Sequence, residues 1–161
     1  MIAKNKFRNN VTRALDHRGI HHQVYEIPSE KISAVQVAQI LGIPPELMYK
    51  TIVVLITNSN KPLLVMVPAS CDVDLKAVAR AINAKKVSLA TQVQAESLTG
   101  LKAGGISPLA LIDRGFRVII DQSARMLDEI HISGGQLGMI LRLSVAALVE
   151  MTNANFAHSC R

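Results

Sequence analysis

Tryptophan is missing from this chain, and only two tyrosines and three phenylalanines stand among its 161 residues. A core without large rings must be filled by Val, Ile, Leu and Ala. With 49% hydrophobic and 19% charged residues, the composition fits one packed domain, residues 1–161, and excludes disorder. Cysteine occurs only as Cys71 and Cys160, with no CxxC pair and no even framework of spacings. That usage suits a reducing cytosol better than secretion. The longest apolar run, "TIVVLIT", is far too short to cross a bilayer. The opening "MIAKNKFRNN" lacks the apolar segment of a secretory signal. A cytoplasmic protein without a membrane partner is expected.

Several chemistries are missing as well. His17, His21, His22, His131 and His158 form no H-x-x-x-H pair and no cysteine sits at finger spacing, so no metal and no cofactor is expected. There is no Walker A motif and no kinase set. "GISPL" is not G-x-S-x-G, and the proline after Ser107 cannot supply the backbone N–H of an esterase elbow. "GGQLG" precedes an apolar strand where a dinucleotide fingerprint needs a helix. No nucleophile is legible.

What is present is a basic surplus, 18 Lys plus Arg against 12 Asp plus Glu. An anionic partner such as nucleic acid fits that charge, and so does a merely solvated basic surface. The pattern mixes helices and strands. Val11, Ala14 and Leu15 share a helical face closed by Gly19, and "HHQVYEI" reads as a short strand in which His21 and His22 face opposite ways. Capping boxes at Ser33–Gln36 and Thr91–Gln94 open two further helices, ended by Gly42 and Gly100. "YKTIVVLIT" and "KPLLVMVPA" form a hairpin, followed by a helix capped at Asp72 or Asp74. "FRVIID", "EIHIS" and "MILRLS" are strands, Ser144 caps a last helix, and the polar stretch 153–161 is expected to fray. The fold class is mixed α/β of the α+β kind: a mostly antiparallel sheet with surrounding helices.

Two features invite a functional reading. In "KAGGISPLAL", Gly104 and Gly105 free the backbone and Pro108 fixes the exit. Successive N–H groups in such a turn can cradle an anion or a carbonyl oxygen, although a plain structural turn is the commoner outcome. Lys50 opens the first long strand; a lysine there is usually solvated, but it can also place a cation at a pocket mouth.

Taken in order, "MYKTIVV", "VDLKAVARAINAKKV", "LTGLKAGGISPLA", "VIID" and "IHISGGQLGMILRL" resemble the YbaK/EbsC family of Cys-tRNA(Pro) deacylases, relatives of the prolyl-tRNA synthetase editing domain. The likeness runs from about residue 8 to residue 157. It implies a bifurcated, partly barrel-like sheet and a cytoplasmic trans-editing enzyme. The substrate would be cysteine mischarged onto tRNA(Pro), or carried by Cys-tRNA(Cys), bound by its acceptor end, and prolyl-tRNA synthetase would be a partner. Carried over by position, Lys50 is the catalytic lysine. Tyr25, Gly104, Gly105, Ile106, Ser107 and Pro108 bind substrate, as do Ser133, Gly134, Gly135 and Gly138 of a second glycine turn. The implied mechanism is substrate-assisted: the cysteine thiol attacks its own ester, so the enzyme, a hydrolase or in this route a lyase, needs no nucleophile.

Ala110, Leu111 and Gln136 depart from the family pattern where relatives are smaller or basic, and "LTGL" replaces a loop that usually ends in an aromatic. Lys85, Lys86, Lys102, Arg114, Arg117 and Arg125 stand near enough in sequence to compensate. Two other readings stand beside this one: a deacylase for another aminoacyl group, such as Ala-tRNA(Pro), and a non-catalytic tRNA- or synthetase-binding module.

Overall fold

β-Branched residues dominate β2 (Tyr49–Ile56), apolar residues fill β3 (Leu63–Pro68), and the hairpin of the two lies at the centre of the molecule. The computed structural model describes residues 8–161; the start of the segment read for a secretory signal, residues 1–7, lies outside them. β2 and β3 are antiparallel, with Lys50 opposite Val67. They belong to a five-stranded sheet of order β4-β2-β3-β5-β8, completed by β4 (Val87–Leu89), β5 (Arg117–Asp121) and β8 (Asn155–Ala157). The β3–β5 and β5–β8 pairs are parallel. A second sheet, antiparallel throughout, has the order β1-β7-β6, from β1 (His22–Glu26), β6 (Glu129–Ser133) and β7 (Met139–Ser144).

All six residues of β3 are buried because both faces of that strand are covered. Leu64 and Met66 join Val53, Val118 and Ile120 against Leu141, Ile132 and Ile130 of the second sheet. Leu63, Val65 and Val67 turn the other way, toward Val78 and Ala79 of α3 (Leu75–Ala81). Each such side chain contributes about 1.5–3 kcal/mol on leaving water.

The other helices start where the sequence says. Ser33 and Thr91 close capping boxes on α2 (Ala34–Leu41) and α4 (Gln92–Thr99), and Gly42 and Gly100 end them in the left-handed region. Asn9 caps α1 (Asn10–His17), Asp74 caps α3, and Ser144 caps α5 (Val145–Thr152). His21 is exposed, whereas His22 is half-buried with its Nδ1 2.9 Å from the Ile20 carbonyl.

Two segments differ from expectation. Residues 153–161 do not fray. β8 lies beside β5, and the Asp121 carboxylate accepts from both the N–H and the hydroxyl of buried Ser159. Burial pushes Asp121 up, but the hydrogen bonds from Ser123 and Ser159 outweigh it and hold the carboxyl below its usual range. Cys71 and Cys160, whose usage pointed to a reducing cytosol, form a disulfide with Cα atoms 5.6 Å apart. Because 89 positions separate them, loop-closure entropy alone assigns the bond about 4–5 kcal/mol.

The sheets fork where Met48, just before β2, makes a parallel bridge to His131 of β6. His131 is buried, its Nδ1 has no hydrogen-bond partner among the described residues, and its ring lies 5.7 Å from the Tyr25 ring. Burial and then the Arg142 charge hold its pKa below 6.5. A histidine kept neutral by the fold supports stability above its unfolded pKa, and that support is lost as pH falls. Stability to urea therefore falls between about pH 7.5 and 5.5, above the range in which Asp74 and Asp121 titrate, and His131→Asn flattens the fall. An equal fall in the variant would show that another group is responsible.

Candidate active site

From the fork, Met48 and then Tyr49 and Lys50 of β2 run along one wall of a cavity of about 370 Å³. That volume is in the range of small-ligand pockets. Ile32, Ala34 and Val37, at the start of α2, form a second wall. Thr91, Gln92 and Ala95 of the α4 start form a third, and Lys31 Nζ donates to Gln92 Oε1 to join these two. Lys50 is half-buried, and its ammonium donates to the Ala69 carbonyl at 3.3 Å. Among the described residues no carboxylate pairs with it, so its charge is available. The other charged side chain of the lining is Glu30.

The glycine stretch supplies the remaining wall. The Ala103 N–H donates to Glu96 Oε2 at 2.9 Å and the Gly105 N–H to the Lys102 carbonyl at 2.8 Å, pinning the loop from α4. Gly104 has φ +90°, a region closed to most side chains. Gly105 is there for another reason: a Cβ on it would lie 2.9 Å from the carbonyl carbon of Gln136 and 3.0 Å from the Leu137 nitrogen. The two glycine turns pack backbone on backbone. The N–H groups of Gly104 and Ile106, on either side of the pinned Gly105, donate to no acceptor among the described residues. Both residues line the cavity, which makes these N–H groups the candidate main-chain donors to a ligand.

The second turn is the β6–β7 connection, closed by the Gly134 N–H on the Met139 carbonyl at 2.9 Å. Asn9 braces it, donating from Nδ2 to the Gly134 carbonyl at 3.0 Å, and Ser133 Oγ accepts from the Gly135 N–H at 3.3 Å.

The structure thus brings Lys50, Gly104, Ile106, Ser133 and Gly138 into one cavity. Gly105, Gly134 and Gly135 lie behind them as support. Ser107 is wholly buried, and its Oγ caps the following 3-10 turn by accepting from the Leu109 N–H at 3.3 Å. Pro108 borders a different hollow, beside Leu111 and Phe116. Tyr25 also stands outside the lining, its hydroxyl donating to Gln23 Oε1 at 2.7 Å. The apolar walls at Ile32, Ala34, Val37 and Leu137 were not read from sequence, since an apolar residue beside a helix start carries no mark of a pocket.

Residues 29–151 match the family described as the aminoacyl-tRNA editing domain. Over 156 residues the chain is 30% identical to the Enterococcus faecalis protein named "Putative Cys-tRNA(Pro)/Cys-tRNA(Cys) deacylase EbsC", covering 96% of this chain and 94% of that one. Among solved structures it resembles the hypothetical protein APE2540, with TM-score 0.86, 23% identity, and coverage of 95% of this chain and 100% of that one. It also resembles "a putative trans-editing enzyme for prolyl tRNA synthetase", with TM-score 0.80, 23% identity, and coverage of 96% and 99%. These two show the same fold. The chain belongs to the aminoacyl-tRNA editing domain family, and its activity is that of an aminoacyl-tRNA deacylase.

Gly105→Ala tests the contact between the turns. Forcing a methyl against main chain costs about 1–3 kcal/mol, so a lower urea midpoint and a slower deacylation are both expected. Unchanged values for both would show that the turns separate freely.

Proposed function

We propose that this protein removes cysteine mischarged onto tRNA(Pro), acting in trans as one editing domain in the cytoplasm, and that the ester is broken by the substrate's own thiol. One observation carries the reading. The cavity that holds an unpaired ammonium and two free main-chain N–H groups has no histidine and no cysteine in its lining. Such a site orients and polarises; it offers no histidine- or cysteine-based nucleophile. The E. faecalis relative's name points to the same substrate.

In this reading the terminal adenosine enters beside β2, and Lys50 neutralises its phosphate. The N–H groups of Gly104 and Ile106 receive the ester carbonyl oxygen, whose negative charge grows as the tetrahedral centre forms. The cysteine sulfur forms a bond to the carbonyl carbon, and the bond from that carbon to the ribose oxygen breaks. The ribose oxygen leaves with the proton the thiol gives up, and a cyclic thioester remains, which water opens to free cysteine. Holding sulfur and carbonyl in line supplies about 7–11 kcal/mol of the barrier. By this route the enzyme is formally a lyase.

Glu30 favours a second reading. As the carboxylate of the lining, it could serve as base for a water, and a thiol-free substrate such as Ala-tRNA(Pro) would then be cleaved as a plain hydrolysis.

A panel of Cys-, Ser- and Ala-tRNA(Pro) separates the two. The thiol route predicts turnover of the cysteinyl ester alone, indifferent to Glu30→Gln. The water route predicts turnover of Ala-tRNA(Pro), lost in that variant. Lys50→Ala is expected to lower deacylation at least about a hundredfold with an unchanged melting curve, because a strand-end lysine contributes little to stability. Undiminished activity would remove Lys50 from the mechanism.

A further inference from the structure

Lys50 borders two hollows. The cavity described above lies on one side; a groove of about 700 Å³ lies on the other, with Ile52 and Leu89 as the remaining shared wall. That groove runs past Leu75 and Lys76 of α3, and the same two residues open the next hollow, which is lined by Arg80, Lys85 and Lys86 and by no acidic residue. Lys76 and Arg80 are four positions apart on α3 and therefore share its outer face. Lys85 and Lys86 lead into β4, whose Val87 lies opposite Ile56 of β2. From Lys50 to that point β2 advances six residues, about 20 Å. A row of cations thus follows β2 outward from the cavity mouth.

These side chains are uncommitted. Among the described residues the side chains of Lys76, Lys85 and Lys86 make no ion pair or hydrogen bond, and all three residues are exposed. The groove also holds Asp72, Asp74 and Arg161. Asp74 is occupied by its cap, accepting from the Ala77 N–H at 3.1 Å. Asp72 is exposed and its backbone pairs with that of Arg161. Along the whole path Lys50, Lys76, Arg80, Lys85, Lys86 and Arg161 outnumber two carboxylates.

Arg114, Arg117 and Arg125 lack this continuity. Arg114 donates to the carbonyls of Leu98 and Thr99, and the Arg125 guanidinium lies 4.6 Å from the centre of the Phe156 ring. Arg117 stands on β5, three strands from β4 and hence about 14 Å across the sheet.

We infer that the groove and hollow formed by Lys76, Arg80, Lys85 and Lys86 carry the sugar-phosphate backbone of the tRNA strand leading to the terminal adenosine, which enters the cavity at Lys50. This rests on the cavity being the deacylation site. The contacts are to phosphate, so they set grip and direction without reading sequence.

The test compares the wild type with the triple variant Lys76→Ala, Lys85→Ala, Lys86→Ala. The substrates are full-length Cys-tRNA(Pro) and a short CCA-ended oligonucleotide carrying the same cysteinyl ester. For the full-length substrate KM is expected to rise on the order of tenfold with kcat unchanged, and the dependence of log KM on log salt to flatten by about one per cation removed. The short substrate is expected to be cleaved as before. An unchanged KM, or an equal loss on both substrates, overturns the track; the first outcome would leave these cations to another partner, such as an acidic protein surface. Binding of uncharged tRNA, which needs no chemistry, keeps the two claims apart. If the wild type cleaves neither substrate, the reading of the cavity fails, while weaker binding by the variant still supports the track and equal binding still overturns it.

Discussion

No side chain fits between Gly105 and the main chain of Gln136 and Leu137, and the cavity depends on that contact. The loop after α4 and the β6–β7 turn come from separate parts of the sequence. Their direct backbone contact fixes one against the other without rotamers that could slip. It also orders the donors. Gly105 spends its N–H inside the loop, leaving those of Gly104 and Ile106 free on either side. Lys50 is set from the other direction, two residues after the Met48–His131 bridge that opens the fork. Sheet, turns and ammonium are thus located by backbone contacts, and preorganisation of this kind is what the proposed thiol-assisted route requires.

The chemistry follows from what the cavity leaves out. A serine-based esterase needs a hydroxyl, a base to deprotonate it and an acid to orient the base. Here Ser107, the serine of the glycine loop, is buried and spends its oxygen on a turn. Ser133 accepts from a backbone N–H and has no histidine beside it in the lining. An aminoacyl ester is already activated, so a site that binds it in one geometry need not attack it. On the proposed thiol route, selectivity lies partly in the substrate: an amino acid without an internal nucleophile occupies the same space and remains attached.

Much of the architecture was legible because it is written locally. The boxes at Ser33 and Thr91 and the left-handed stops at Gly42 and Gly100 stand where the sequence puts them, since a cap is decided within one turn of chain. The β2–β3 hairpin was legible from its β-branched runs. β4 and β8 were not. Each is three residues long and exists only because a long strand elsewhere offers it an edge. The ordering of the last nine residues was equally hidden, resting on Asp121, Ser159 and a disulfide between cysteines 89 positions apart. At the cavity, Lys50 and the GGISP loop were marked by residue type, but sequence could not tell which member of the loop faces inward. Gly104 and Ile106 do; Gly105, Ser107 and Pro108 form its frame or lie behind it. Tyr25, placed by resemblance alone, lies outside the lining.

The central claim is that main-chain N–H groups receive the ester carbonyl oxygen while Lys50 holds the adjoining phosphate. The most direct measurement is amide NMR during titration with a non-cleavable, amide-linked 3′-cysteinyl adenosine 5′-phosphate. The account predicts large shifts at the Gly104 and Ile106 N–H signals, a small one at Gly105, whose hydrogen is already bonded within the loop, and loss of the response in Lys50→Ala. Saturable binding that leaves the Gly104 and Ile106 signals in place would contradict it.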